Sequence, residues 1–156
     1  MQQVHREDRL ASIFHDVALP LADAYAATRR SLRWARADRS LVVANVHVPL
    51  STLNRIFLVG AGKAGVPMAR AVVDTLRSDE ALWAHFAAGS VNVYRDQATA
   101  TVPRVDFFPA DHPSPNQSSV DGARAALRLV SEAGAGDLVI AIISGGGSSL
   151  LTLPAE

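Results

Sequence analysis

Residues Arg55 to Arg77, RIFLVGAGKAGVPMARAVVDTLR, constrain this chain more than any other stretch. Four apolar residues, Ile56 to Val59, run directly into Gly60-Ala61-Gly62-Lys63-Ala64-Gly65, and a helical pattern then holds to about Arg77. A strand, a glycine turn and a helix in that order belong to a parallel α/β sheet and make a ready anion site. The glycines let backbone N–H groups approach a ligand, the helix N-terminus adds about half a positive charge, and Lys63 adds a full one. The letters also satisfy G-x-G-x-x-G, so a dinucleotide is the first ligand to consider. That fingerprint wants an acid about 20 residues on to hold the ribose. Here the next clear strand ends near Asp96, and a lysine intrudes into the loop. The stretch therefore suits an isolated phosphoryl group or carboxylate better than a nicotinamide cofactor. A purely structural glycine turn is the plain alternative.

Composition narrows the partners. The chain has 156 residues, 49% of them apolar, with 15 basic residues against 15 acidic ones. That is enough for one domain with a real core. A formal net charge of zero argues against nucleic acid or an acidic membrane surface, which select a basic excess. There is no cysteine, hence no disulfide framework and no thiolate chemistry. The expected location is cytoplasmic: the start of the chain has no signal-like apolar run, and nothing approaches the roughly 18 apolar residues of a membrane span. His5, His15, His47 and His85 have no partner at a metal-ligand spacing, so no metal site is predicted from them.

Before the opening stretch, Leu10, Ile13, Phe14, Val17, Leu21, Tyr25, Thr28 and Leu32 lie on a helical stripe. Pro20 is unwelcome mid-helix, so the pattern predicts two helices, 7–18 and 20–36, with Pro20 in the first turn of the second. Residues 40–48 predict a short, edge-like strand before Pro49. After the glycine loop, Val66, Ala69, Val73 and Leu76 predict a buried helix face. Strands are expected at 90–94 and 104–108. The second of these ends in Pro109-Ala110-Asp111-His112-Pro113-Ser114-Pro115-Asn116, a stiff extended loop. Ser118 to Asp121 reads as a capping box for a helix burying Val120, Ala123, Leu127 and Val130. Leu138 to Ile143, LVIAII, has no alternation and predicts a parallel strand buried on both faces. It opens into Ser144-Gly145-Gly146-Gly147-Ser148-Ser149, whose backbone N–H groups and hydroxyls could cradle phosphate oxygens. This second loop lacks the spacing and lysine of a Walker A loop and is not a G-x-S-x-G elbow. The fold class is thus α/β: a three-layer, Rossmann-like domain with a mostly parallel sheet, preceded by a helical pair. Ligands of such sheets bind at the carboxyl ends of the strands, where both glycine loops and the proline loop fall. His112 could orient a ligand or move a proton, or be an ordinary solvated loop histidine.

The segments VGAGKAGVPMARAV, ADHPSPNQSSVDGARAAL and GDLVIAIISGGGSSLL, in this order, resemble the amino-terminal part of the glycerate 2-kinases, the type with a C-terminal MOFRL domain. The resemblance spans roughly residues 7 to 153. It implies magnesium-dependent transfer of a phosphoryl group from ATP to the 2-hydroxyl of D-glycerate, giving 2-phosphoglycerate, in a cleft between two α/β domains. It implies that Lys63 is the catalytic lysine, contacting the glycerate carboxylate or the transferring phosphoryl. Gly60, Gly62, His112, Pro113, Ser144, Gly145, Gly146, Gly147 and Ser148 would hold substrate or phosphate oxygens, with magnesium ligands outside this chain. Two positions depart from the family pattern: Asp111 replaces the glycine before His-Pro, a charge that needs a partner beside an anion site, and Asn116 stands where aspartate is common. The family also continues well past the second glycine loop. Residues 1–156 are therefore expected to be the amino-terminal domain alone, truncated before the MOFRL domain and needing the missing half or another chain. Two other readings keep a place: a sugar-phosphate-binding domain of the sugar-isomerase type, and an inactive fragment or binding module.

Overall fold

A computed structural model describes residues 6–154; His5 falls outside them. The chain begins with α1 (Arg6–Ile13), a π-helical turn over Phe14–Ala18 and α2 (Leu19–Ala22), which run on as one rod. The break expected at Pro20 comes instead at Asp23, whose extended backbone (ψ 109°) leaves the helix and whose carboxylate accepts the Ala26 N–H to cap α3 (Ala24–Ser31). The π-helical turn just before Pro20 changes the carbonyl pattern locally, which lets the rod tolerate a residue with no N–H. The apolar stripe of this rod is not buried: Leu10, Ile13, Phe14, Val17 and Leu21 are all more than half exposed. The second predicted helix is also too long. From Leu32 the chain turns into β1 (Leu32–Ala35), which pairs antiparallel with β2 (Ser40–Val43), itself paired with β3 (Val46–Pro49). The single strand expected at 40–48 is therefore a hairpin, with Ala44 at φ 53° in its turn. These three strands form a small sheet separate from the main one.

The main sheet holds β4 (Ile56–Ala61), β5 (Phe86–Tyr94), β6 (Val105–Ala110) and β7 (Leu138–Ile143), all parallel, in the order β6-β5-β4-β7. Sequence order reverses between β4 and β7, which makes their carboxyl ends the topological switch point. The crossover from β4 carries α4 (Gly65–Leu76) and the short α5 (Glu80–Ala84); α6 (Gln117–Ser131) links β6 to β7, and α7 (Gly147–Leu150) follows β7. Ile56, Phe57 and Leu58 are at most 1% exposed, each worth about 1.5–3 kcal/mol of apolar burial. With Ala69, Val72, Val73 and Leu76 of α4 they build the core. Val66, Ala69, Val73 and Leu76 face inward as the spacing predicts.

Two expectations about the other face change. The capping box of α6 is Asn116 with Ser119, not Ser118 with Asp121: Ser119 N–H donates to Asn116 Oδ1 at 3.0 Å, and Asn116 N–H donates to Ser119 Oγ at 3.2 Å. The buried face of α6 is Ser119, Gly122, Ala123 and Ala126, while Leu127 is exposed. The helix lies so close to the sheet that only small side chains fit beneath it. Strand β7 is buried on one face only: Ile140 and Ile142 are covered, Val139 and Ile143 exposed. It occupies the sheet edge, and α6 packs over β4, β5 and β6 instead. An apolar groove lined by Ala126, Leu127, Val130, Ile143 and Leu153 runs between them.

Candidate functional site

Three loops meet at the switch point. Strand β4 ends in Gly60 and Ala61, and Gly60 lets β4 and β7 close up: a Cβ there would stand 2.4 Å from the Ile142 side chain and carbonyl. Gly62 has φ +141° and presses on Ser144, so that a Cβ would fall 2.0 Å from Ser144 Oγ. A side chain at Gly62 is excluded by both conformation and space. The N–H groups of this loop are engaged within the protein. Gly62 donates to the Asn92 carbonyl (3.1 Å), Lys63 to the Gly145 carbonyl (2.9 Å), and Ala64 to Ser144 Oγ (3.0 Å). The loop therefore offers a ligand the exposed Lys63 side chain rather than the cradle of backbone donors its glycines suggest.

The loop after β7 is built the other way. The Ser144 N–H returns to the Ala61 carbonyl at 3.1 Å, and Gly146 adopts φ +86° to start α7. Among the described residues the N–H groups of Gly145, Gly146 and Ser148 meet no protein acceptor, and Gly145 has open space around its Cα. Gly146 is the meeting point of the site: a Cβ on it would lie 3.1 Å from His112 Cδ2 and 3.5 Å from both Cγ and Cε of Lys63. Lys63, His112 and the Ser-Gly loop, distant in sequence, thus share one small surface. Pro113 is exposed beside His112, Ser148 is exposed at the first turn of α7, and Gly147 rests near the Ala61 carbonyl.

Asp111 has the partner its charge needs. Arg95 grips it with two hydrogen bonds, Nε to Oδ1 at 2.9 Å and Nη2 to Oδ2 at 2.8 Å, and the Asn116 amide donates to the same carboxylate. The Arg95 hydrogen bonds hold the Asp111 carboxyl below the usual aspartate range, with Asn116 adding to the effect. Asp111 and Asn116, the two departures from the family pattern, therefore bond to each other, and Arg95 ties their loop to the end of β5. Sequence reasoning passed over Arg95 because residues 95–103 read only as a polar loop. It also passed over Gln97, whose Nε2 donates to the Lys63 carbonyl at 2.9 Å, and Asn92, a fully buried amide in a strand of otherwise ordinary alternation.

The surface at Gly146 suits an anion: the exposed Lys63 side chain passes beside it, the N–H groups of Gly145, Gly146 and Ser148 have no acceptor among the described residues, and the nearby carboxylate is already paired. These groups can neutralise a phosphoryl group or a carboxylate and orient it. A magnesium ion is another matter. No group of three His, Cys, Asp or Glu side chains comes together among the described residues, and Asp111 is committed to Arg95.

Comparison with known proteins places the chain among relatives. A family profile described as a domain of unknown function, DUF4147, matches residues 10–156. A protein of Agrobacterium vitis named as a hydroxypyruvate reductase is 37% identical over 120 residues, which cover 77% of this chain and 26% of that protein. A glycerate 2-kinase of Pyrococcus horikoshii is 30% identical over 139 residues, covering 89% of this chain and 29% of its own. A crystal structure of a Pyrococcus horikoshii protein superposes with a TM-score of 0.80 at 26% identity, over 99% of this chain and 33% of that one. The chain spans about a quarter to a third of the length of these relatives. No helix of the described residues is long and apolar enough to cross a membrane. With a profile match over nearly its whole length, the chain belongs to the DUF4147 family, a domain it shares with the glycerate 2-kinases.

Proposed function

We propose that this chain is the substrate-holding part of an ATP-dependent phosphotransferase that acts on the 2-hydroxyl of D-glycerate and releases 2-phosphoglycerate. The convergence of Lys63, His112 and the Ser-Gly loop on Gly146 carries the reading. Glycerate is a small anion with a carboxylate beside the reacting hydroxyl. The Lys63 ammonium meets either that carboxylate or the transferring phosphoryl, and the N–H groups of Gly145, Gly146 and Ser148 meet the oxygens of the other. His112 and Pro113 wall the pocket. Phosphoryl transfer depends on positioning and charge neutralisation more than on covalent help, and a fixed cation with rigid backbone donors supplies both. In the step itself the glycerate O2 forms a bond to phosphorus, the bond from that phosphorus to the bridging oxygen of the nucleotide breaks, and the hydroxyl proton passes to a base or to solvent. ATP supplies the phosphoryl group. Magnesium ligands, and the rest of the nucleotide site, belong to polypeptide beyond these residues, so the working cleft needs the remainder of the enzyme or another chain. A cytoplasmic location follows from that metabolic role.

The hydroxypyruvate reductase name of a relative points to a second reading, hydride transfer at the same carbon skeleton. The lysine loop argues against it. A dinucleotide pyrophosphate would use the backbone donors of the first glycine loop, and those of Gly62, Lys63 and Ala64 are bonded within the protein. The test is direct. The protein is incubated with D-glycerate, ATP and magnesium, as the 156-residue chain and as the full reading frame that contains it, and 2-phosphoglycerate is followed by mass and by coupled assay. Product from the full protein, lost in Lys63→Ala, is expected. Consumption of NADH with hydroxypyruvate and no phosphorylated product would replace this reading by the second.

A further inference from the structure

Beneath the three loops lies one residue that touches the supports of all of them. Asn92, near the carboxyl end of β5, is fully buried. Its main-chain carbonyl accepts the Gly62 N–H at 3.1 Å and so holds the lysine loop. Its side-chain Nδ2 donates twice, to the Ser119 carbonyl at 3.2 Å and to the Leu150 carbonyl at 2.7 Å. Ser119 lies in the first turn of α6, directly after the proline loop, and Leu150 ends α7, directly after the Ser-Gly loop. Around Leu150 sits a small apolar cluster of Ala61 and Ala110, the last residues of β4 and β6. Gly122 of α6 completes the arrangement: a Cβ there would overlap the Asn92 amide at 2.3–2.6 Å. The helix is therefore bare at the one place where it meets this side chain.

We infer that Asn92 is a positioning residue: through its two side-chain hydrogen bonds it sets the proline loop and the Ser-Gly loop in register with Lys63. The inference rests on the proposed function for what the loops bind, but not for how they are held. The two acceptors are both carbonyls, so the side chain must present two hydrogens from one atom. Only a primary amide of this length does so here. Aspartate has the shape without the donors, and leucine has the volume without the polarity. A buried donor pair aimed at carbonyls of two different elements ties those elements to each other, and removing it takes that donor away from two buried carbonyls.

Asn92→Asp in the 156-residue chain tests this. Above neutral pH the carboxylate faces two carbonyls. The amides of residues 112–119 and 145–150 are expected to exchange with solvent at least roughly tenfold faster, while the β4 core amides keep their protection. Burial raises the pKa of such a carboxyl, and its protonated form regains one donor. Protection of one of the two loops should therefore return at least in part as the pH is lowered, measured against the wild type at each pH because Asp111, His112 and Lys63 stand on the loops above. Gly122→Ala, which keeps Asn92 but displaces its amide, should loosen the same two segments without the pH reversal. D-glycerate titrated into each protein reports the effect on the site. If the wild type within the full reading frame does not bind glycerate, the proposed substrate is wrong while the exchange result still decides the role of Asn92. Unchanged loop exchange in both variants overturns the inference. So does loosening spread evenly over the sheet, or loss that lowered pH reverses in neither loop. If Asn92→Asp does not fold, Gly122→Ala decides: loosening confined to the two loops supports the inference, and any other pattern overturns it.

Discussion

The loops after β4 and β7 have similar compositions and are used in opposite ways. The first turns its backbone donors inward, to Asn92, Gly145 and Ser144, and exposes the Lys63 side chain. The second anchors itself through the Ser144 N–H and its hydroxyl and, among the described residues, leaves three backbone donors without an acceptor. Each loop needs the other: Ser144 Oγ receives an N–H of the lysine loop, and the Gly145 carbonyl receives another. One loop is a mount for a cation and the other a set of fixed dipoles, and the proposed phosphoryl group or carboxylate would use both.

The sharpest way to break this contrast is Lys63→Ala. If the lysine loop contributes only its ammonium, the proposed phosphorylation of glycerate by the full reading frame should fall roughly hundredfold or more. Thermal stability should stay within about 0.5 kcal/mol, because the exposed side chain supports nothing. A large stability loss would mean that Lys63 is structural. Next comes Gly62→Ala, for which the positive φ and the overlap with Ser144 together predict a loss of about 2–4 kcal/mol in chemical denaturation. Gly145→Ala in the other loop, where a Cβ meets nothing within 4 Å, should cost less than about 0.5 kcal/mol. Equal effects at the two glycines would erase the distinction between the loops. Ser144→Ala removes the acceptor of the Ala64 N–H and should cost about 1–2 kcal/mol. Its signature is faster amide exchange at Ala64.

The two arginine–aspartate forks allow a smaller test, at opposite ends of the sheet. Arg55 and Asp137 join the starts of β4 and β7, with Arg55 Nη2 2.7 Å from a carboxylate whose side chain is 2% exposed; in the Arg95–Asp111 pair the carboxylate side chain is 42% exposed. Both carboxyls are held below the ordinary value of 3.8, in each case chiefly by the arginine hydrogen bond. A depressed pKa in the folded state means that the stabilisation is complete above 3.8 and is lost as the pH falls through the lower, folded value. Asp137→Asn and Asp111→Asn should therefore each lie below the wild type in thermal stability at neutral pH and approach it in strong acid. The gap should be wider for Asp137, because solvent screens the exposed pair. A gap that persists undiminished into acid would assign the effect to something other than the charge.

Much of this molecule was legible locally. The strand-glycine-helix pattern at 56–76, the apolar run of β7 and the order of the three loops place a parallel α/β sheet and its ligand edge, because helical and strand periods are properties of neighbouring residues. The inward face of α4 followed from the same spacing. What failed did so where distance in the chain decides. Leu32 to Ala35 carry a helix-like spacing but pair with β2, since a strand partner outweighs a weak helical preference. The face of α6 turned because Asn92, some thirty residues away in the chain, admits only Gly122 beneath the helix. LVIAII reads as buried on both sides, yet its place at the sheet edge exposes Val139 and Ile143.

By itself, then, the sequence determined the fold class, the family and the three loops from which a site is made, since each is written in contiguous residues and their spacing. The tertiary structure alone decided which loop donates hydrogen bonds and which displays its lysine, how Asp111 is neutralised by Arg95, and that a buried amide underlies the whole arrangement. The reason is physical. A backbone donor is free or occupied only with respect to groups brought to it by folding, and a charge beside an anion site is tolerable only when its partner is in place.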